Sequence, residues 1–422
     1  MGHGHGHDTI EIPERTARLI NAASLALFVV LAGLIALNWP SRPDINLDLG
    51  GATSPAIVRS INPCPPEASA GPDTECAVIR IEITAGEDRN QLFELPPVYG
   101  EAGRFGVGDA IVVDRIEEDL APFRYVFVDR DRKAMLWVLA AAFGLTVMLL
   151  GGLRGLRALL GLAASIAVLG LFTMPALLNA QSPLLIACLT AGAISFAALY
   201  LSHGFAPMTS VAVLGTLASL SVTVALGSLF INLARFSGFA SEESFFIRSA
   251  SESIDLGGLL LAGLVIGALG ALDDMTVTQA SVVFELRGAN QRRSRRALFE
   301  SAMRVGRDHV ASTVNTLFLA YAGASLPLLM LFVIGDLPVV DVLNSEIVAT
   351  ELVRTLVGSI GLVASVPLTT LLAVWVVTHS PLADSSSEAR PPKRRPQSIG
   401  ESEDQAGNRP SLRQRLRSSI ED

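Results

Sequence analysis

Charge is scarce in this chain: Asp, Glu, Lys and Arg make up 17% of 422 residues, against about 25% in an average soluble protein. Lysine is nearly missing, and Lys133 and Lys393 are the only two. A Walker A phosphate loop needs a Gly-Lys-Ser/Thr step, which neither lysine has, so ATP hydrolysis by that route is excluded. There is no HExxH zinc motif and no GxSxG nucleophile elbow. A two-aspartate protease would need carboxylates from different spans, and Asp336 and Asp341 lie in a loop on the opposite face from Asp273. The chain therefore reads as a non-enzyme, with no catalytic residue, resident metal or cofactor expected.

What is present in quantity is apolar. Half of the residues are hydrophobic, and the mean hydropathy is +0.47. A membrane span takes about 20 apolar residues. Eight segments suit that length: 19–37, 134–151, 156–178, 183–202, 208–231, 256–272, 310–334 and 355–378. All are rich in Gly, Ala, Ser and Thr, the small residues of close helix contacts in lipid. Gly263, Gly267 and Gly270 line one face of the sixth, which reads as packing. Arg15 and Arg18 precede the first span as they would precede a signal peptide. Only Asn38-Trp39-Pro40 follows it, with no small-residue cleavage pattern, so it is read as a retained anchor.

Arginine placement sets the expected orientation. Arg15, Arg18, Arg154 and Arg157 fall on the cytoplasmic side of an N-in, eight-span chain. So do seven arginines of the 285–308 loop and eight basic residues of the tail. The outer loops hold Arg235 and Arg248 beside the acidic Asp336, Asp341 and Glu346. The positive-inside rule then puts both termini in the cytoplasm.

The expected organisation follows. Residues 1–18 are a cytoplasmic tail, 19–37 the first span, 41–133 an extracytoplasmic domain, 134–378 a seven-helix bundle, and 379–422 a disordered cytoplasmic tail. The fold class is an α-helical integral membrane bundle with a small all-β domain between its first two helices. Strand-like runs at 56–61, 77–84, 91–95, 109–116 and 124–128 suggest an OB-like barrel or a sandwich. That domain lacks a basic aromatic groove, so no nucleic-acid partner is expected. Cys64 and Cys76 both lie in it and either form a disulfide or remain free thiols. Cys188, within the fourth span, reads as a small apolar residue. His3, His5 and His7 form a Gly-His tract read as compositional or as a metal catch. The 412–417 stretch of the tail could touch anionic headgroups.

Three stretches carry chemistry. In the first, Asp273 and Asp274 end an apolar run and lead into Thr276 and Gln279. An ionised carboxylate in hydrocarbon costs at least ~3 kcal/mol on insertion scales, so such a residue faces a cavity or a partner, or marks the membrane boundary. Neighbouring side chains diverge by about 100° on a helix, so the two need not share a role. In the second, His309, Asn315 and Thr316 lie on successive turns and either form a proton or cation relay with the aspartates or act as interhelical glue. In the third, Pro367 should break the helix ladder, with Thr369 and Thr370 re-satisfying the freed carbonyls and permitting gating. Glu351 and Arg354 are spaced to pair.

The Tyr125–Arg132 exit of the outer domain comes first, followed in order by GALGALDDMTVTQ, GRDHVASTVNTLFLAYAGASLPLL and GSIGLVASVPLTT. Together they resemble the YibE/F family of bacterial multispan membrane proteins, over residues 54–378. The resemblance implies a cell-membrane location and names no activity. A fainter likeness, at the level of fold, is to proton-driven exporters of the resistance–nodulation–division type and to Sec auxiliary subunits, which also place an outer domain after their first span. This chain has two more spans before its aspartates and a smaller outer domain.

Two functions compete. One is an ion- or proton-coupled secondary transporter or transport subunit, moving protons or a cation with a small solute, through Asp273 or Asp274, Thr276, Gln279, His309, Asn315 and Thr316. The other is a non-transporting envelope assembly or scaffold protein acting through its outer domain. Expected partners are the lipid bilayer, and a second copy or an envelope protein.

Overall fold

The computed structural model describes residues 14–41, 53–64, 76–99, 105–116, 123–239, 242–251 and 253–379. The Gly-His tract, the tail beyond His379 and its 412–417 stretch lie outside them. Contacts divide the chain into residues 1–380 and 381–422, and the second unit lies wholly outside the described residues.

Helix α1 spans Glu14–Leu37. After the sheet, α2 spans Lys133–Val168 and passes through a π-helical turn, Leu169–Thr173, into α3, Met174–Leu178. Then come α4 (Pro183–His203), α5 (Pro207–Leu233), α6 (Glu242–Ala250) and α7 (Leu256–Ala289). The last are α8 (Arg295–Ala324), α9 (Leu326–Ile334), α10 (Val339–Asn344) and α11 (Glu346–Thr378). Their starts follow from local chemistry. Proline opens α4 and α5, where a missing N–H costs nothing. The Asp255 carboxylate accepts from Gly258 N at 3.0 Å to cap α7, and the Ser294 hydroxyl accepts from Ala297 N at 3.3 Å to cap α8.

Six uninterrupted helical stretches are long and apolar enough to cross a membrane, and the α8–α9 pair qualifies as a seventh, bent by 59°. The 46-residue stretch from Lys133 to Leu178 is not straight. Gly152 has φ 55° and ψ −133° inside it, a conformation open chiefly to glycine. A Cβ on Gly144 would lie 3.9 Å from Leu159, and one on Gly155 would strike the Val147 carbonyl. Residues that far apart along a straight helix would be more than 10 Å from each other, so α2 is a helical hairpin folded at Gly152. That gives eight apolar segments.

Several boundaries differ from expectation. α7 does not end at residue 272 but runs to Ala289, and α8 starts at Arg295, so the basic loop shrinks to 290–294. The 310–334 segment is broken at Ser325, because Pro327 supplies no N–H to Gly323 and its ring crowds that carbonyl. The last span begins nine residues early, at Glu346.

Contacts between distant segments sort the helix ends into two groups. At the sheet-bearing end, Asn179 Nδ2 donates to the Ser41 carbonyl at 2.9 Å. There the Glu346 carboxylate also accepts from the backbone N–H groups of Ser237 and Gly238, each at 2.8 Å. At the opposite end, Ser24, Tyr200, Ser210 and Asn21 form one hydrogen-bonded chain joining α1, α4 and α5, with steps of 2.6, 2.9 and 2.9 Å.

The sheet comprises β1 (Ser54–Pro63), β2 (Cys76–Ile83), β3 (Leu92–Glu94), β4 (Val98–Tyr99), β5 (Ala110–Arg115) and β6 (Tyr125–Arg130). Its order is β3-β2-β1-β5-β6, all pairs antiparallel, with β4 also on β2. Alternate residues Ala77, Ile79, Ile81 and Ile83 are buried, and Arg80 and Glu82 point outward to pair with Glu94 and Arg59. Among the described residues no pairing joins β3 to β6, so those residues form one open antiparallel sheet where an OB-like barrel or a sandwich was expected. β4 is the strand that the sequence pattern misses, being two residues long. Cys64 and Cys76 are joined in a disulfide that closes the β1–β2 connection.

Candidate functional site

Asp273 stands at the middle of α7, and its carboxylate points into the bundle. Ser195 Oγ of α4 donates to Asp273 Oδ1 at 3.1 Å. One turn along, Thr276 Oγ1 donates to the Asp273 carbonyl at 3.1 Å and lies 2.7 Å from Thr216 Oγ1 of α5. Ser195 is thus bonded to the carboxylate itself, with the Thr276–Thr216 pair beside it, and no Arg, Lys or His pairs with Asp273 among the described residues.

The depth of this cluster can be read from α4, which is 21 residues long. Ser195 is twelve residues from Pro183 and eight from His203, hence about 18 Å from the sheet-bearing end and about 12 Å from the other. A helix of that length matches the hydrocarbon thickness, so the carboxylate is at mid-depth of the helical layer and not at its edge.

Asp274 has different surroundings. Its side chain is 69% exposed and faces α8, with His309 Nε2 at 3.8 Å from Oδ2. That distance is too long for a hydrogen bond, and the contact is an ion pair only when the imidazole is protonated.

The other expected residues divide. Thr276 belongs to the Asp273 cluster. Gln279 is fully buried two turns away and donates through Nε2 to the Ala302 carbonyl at 2.9 Å and to Thr370 Oγ1 at 2.7 Å, which ties α7 to α8 and α11. Asn315 and Thr316 do not reach the aspartates: both are exposed, and the Thr316 hydroxyl bonds to the Ser312 carbonyl. They miss the site because the face of α8 turned to the bundle carries Val310 and Val314 instead.

α11 continues unbroken through Pro367. Thr370 Oγ1 donates to the Val366 carbonyl at 2.6 Å, and Thr369 Oγ1 is buried without a hydrogen-bond partner among the described residues. Neither serves the Val363 carbonyl that Pro367 leaves free, since a threonine hydroxyl reaches only three or four residues back. Glu351 and Arg354 pair at 2.6 Å. Gly263 lies near Arg354 and Gly267 against Tyr321, whereas Gly270 has open space beside it. Cys188 is only partly buried.

Ser195 and Thr216 are the site residues that the sequence pattern did not single out. Serine and threonine are common in these helices, and each of the two is fixed as a neighbour only by how α4 and α5 pack. A sevenfold spacing of Thr209, Thr216 and Thr223, all buried, is the one sequence signal that could have pointed to α5. A cavity of about 840 Å³ between α1 and α4, lined by Phe28, Leu31, Phe196 and Tyr200, includes none of the Asp273 cluster.

No curated protein and no solved structure matches this chain. The model of the YibE/F-like protein family matches residues 139–379. The match begins within α2, leaves the sheet outside it and takes in both aspartates, His309 and Pro367. It covers more than half of the sequence, and with it the bundle that surrounds Asp273: the chain belongs to the YibE/F-like family.

Proposed function

We propose that this protein is an ion- or proton-coupled secondary transporter, or the transport subunit of one, in the bacterial cell membrane. Both termini are cytoplasmic and the sheet is extracytoplasmic. The observation that supports this reading is the Asp273 carboxylate at mid-depth, bonded by the Ser195 hydroxyl with the Thr276–Thr216 hydroxyl pair beside it, and without a fixed counter-charge among the described residues. A structural carboxylate at that depth would be expected to hold an arginine or lysine. Hydroxyls serve a different purpose, because each can donate to an ionised carboxylate and accept from a protonated one. The surroundings of Asp273 therefore suit both states.

Buried, unpartnered hydroxyls of Thr369 and Thr209 lie between this cluster and the cytoplasmic end. Thr369 packs against Gly215, next to Thr216. Together they supply polar stations toward that side. Neutralising Asp273 removes the charge that opposes repacking of α4, α5 and α7, which is the two-state element that alternating access needs.

Purified protein in liposomes with an internal pH dye tests this. Asp273→Asn should abolish proton movement at unchanged protein level, and Asp274→Asn should leave at least half of it. Full movement in Asp273→Asn would sink the reading.

A further inference from the structure

A polar face of α8 stands uncovered at the depth of Asp273. His309 contacts Asp274, the neighbour of Asp273, which sets the level of α8. Arg307 and Asp308 precede His309 by one or two residues, so they are within about 3 Å of it along the axis. Both are exposed, as are Asp274, Ser312, Asn315 and Thr316. Neither Arg307 nor Asp308 has an ion-pair partner among the described residues. From Arg307 to Asn344, through α9 and α10, no residue is buried. The apolar α9 can face lipid at no cost. The charged stretch before it cannot, since each charge at the bilayer centre costs at least ~3 kcal/mol.

We infer that this face of α8 packs against the same face of a second copy of the chain. Its charge pattern supports that occupant. Arg307 and Asp308 put both signs side by side, so a twofold axis across α8 brings each Arg307 to Asp308 of the partner subunit. A surface carrying both signs is self-complementary, as an isologous dimer requires. The small side chains of Ala311 and Ser312 allow close approach of the two helices. The second α8 would also cover the exposed Asp274 side chain beside His309.

The inference rests on the membrane depth argued above and not on transport. The test uses the full chain in native membranes, with Cys188→Ser and the outer disulfide retained. Ser312→Cys should cross-link to a dimer with a thiol-specific linker, and Leu149→Cys, exposed on α2, should not. Native mass spectrometry in lipid nanodiscs should give two chains per particle. Arg307→Asp should weaken the dimer by roughly 30-fold or more, and adding Asp308→Arg should restore it. A monomer in nanodiscs overturns the inference, with a water-filled vestibule indicated if soluble maleimide labels Ser312→Cys. Equal cross-linking at both positions, or cross-linking only to another protein, overturns it as well. Release of the chain by alkaline carbonate would instead defeat the membrane reading beneath it.

Discussion

Asp273 and Asp274 are chemically identical neighbours with different fates, because one residue step turns a side chain by about 100°. Asp273 enters the hydroxyl cluster, and Asp274 emerges beside His309. The sequence marks the pair by its position in an apolar run but cannot rank the two, since Ser195 lies 78 residues from Asp273. In the sheet, Tyr125 shows how burial changes a titration. Its hydroxyl donates to Asp88 Oδ2 at 2.7 Å, and Arg124 pairs with the same carboxylate at 3.2 Å. Burial first, then the Asp88 hydrogen bond, pushes the phenol above its ordinary value, near 10. The folded state thus holds this proton more tightly than the unfolded chain. The associated stability is intact below about pH 10 and falls as pH rises through the folded value. Hydrogen exchange at Ile111 and Val113 should report a loss of sheet protection above pH 10. In Tyr125→Phe that alkaline loss should shrink, and an unchanged profile would remove Tyr125 as its source.

Elements break where the backbone demands it, and most of those places can be read from residue type. Gly152 turns α2 back on itself, and Pro327 ends α8. Pro367 does neither, since the neighbours of α11 hold the helix on both sides of the lost hydrogen bond. Local chemistry says that a carbonyl is freed, and only packing decides whether the helix bends. The small residues likewise do different things in context. A Cβ on Gly306 would lie 2.8 Å from Gln279 Oε1 and closer still to Val366, so α8 approaches α7 and α11 here as only glycine permits. Gly306→Val should lower the stability of the detergent-solubilised chain by about 1–3 kcal/mol. Gly270→Ala, which meets nothing within 4 Å, should be neutral or slightly stabilising. Equal melting temperatures for the two variants would show that α8 does not pack as described.

At the scale of the whole molecule, eight apolar segments alternate between two ends, with the sheet at one and the 290–294 turn at the other. Substituted cysteines test that arrangement. In intact cells Ser345→Cys should react with an impermeant maleimide, and Arg293→Cys should react only after the membrane is opened. The reverse pattern would invert the topology. Arginine placement gave each loop an expected side, and the apolar segments were available from the sequence, because an apolar run of set length is a local property. So were five of the six strands of the sheet, whose period-2 alternation is local too. The openness of the sheet was not, since closure depends on which edges meet. Nor was the identity of the groups around Asp273. Thr276 follows Asp273 by one helical turn, but Ser195 and Thr216 come beside them only when α4, α5 and α7 pack side by side, and the outward turn of Asn315 follows from the same packing. Residue chemistry marked two carboxylates at the end of an apolar run, and the extension of α7 to Ala289 placed them in the middle of a helix. Tertiary contact alone determined what Asp273 would face, because Ser195 and Thr216 stand on helices that only packing brings against α7.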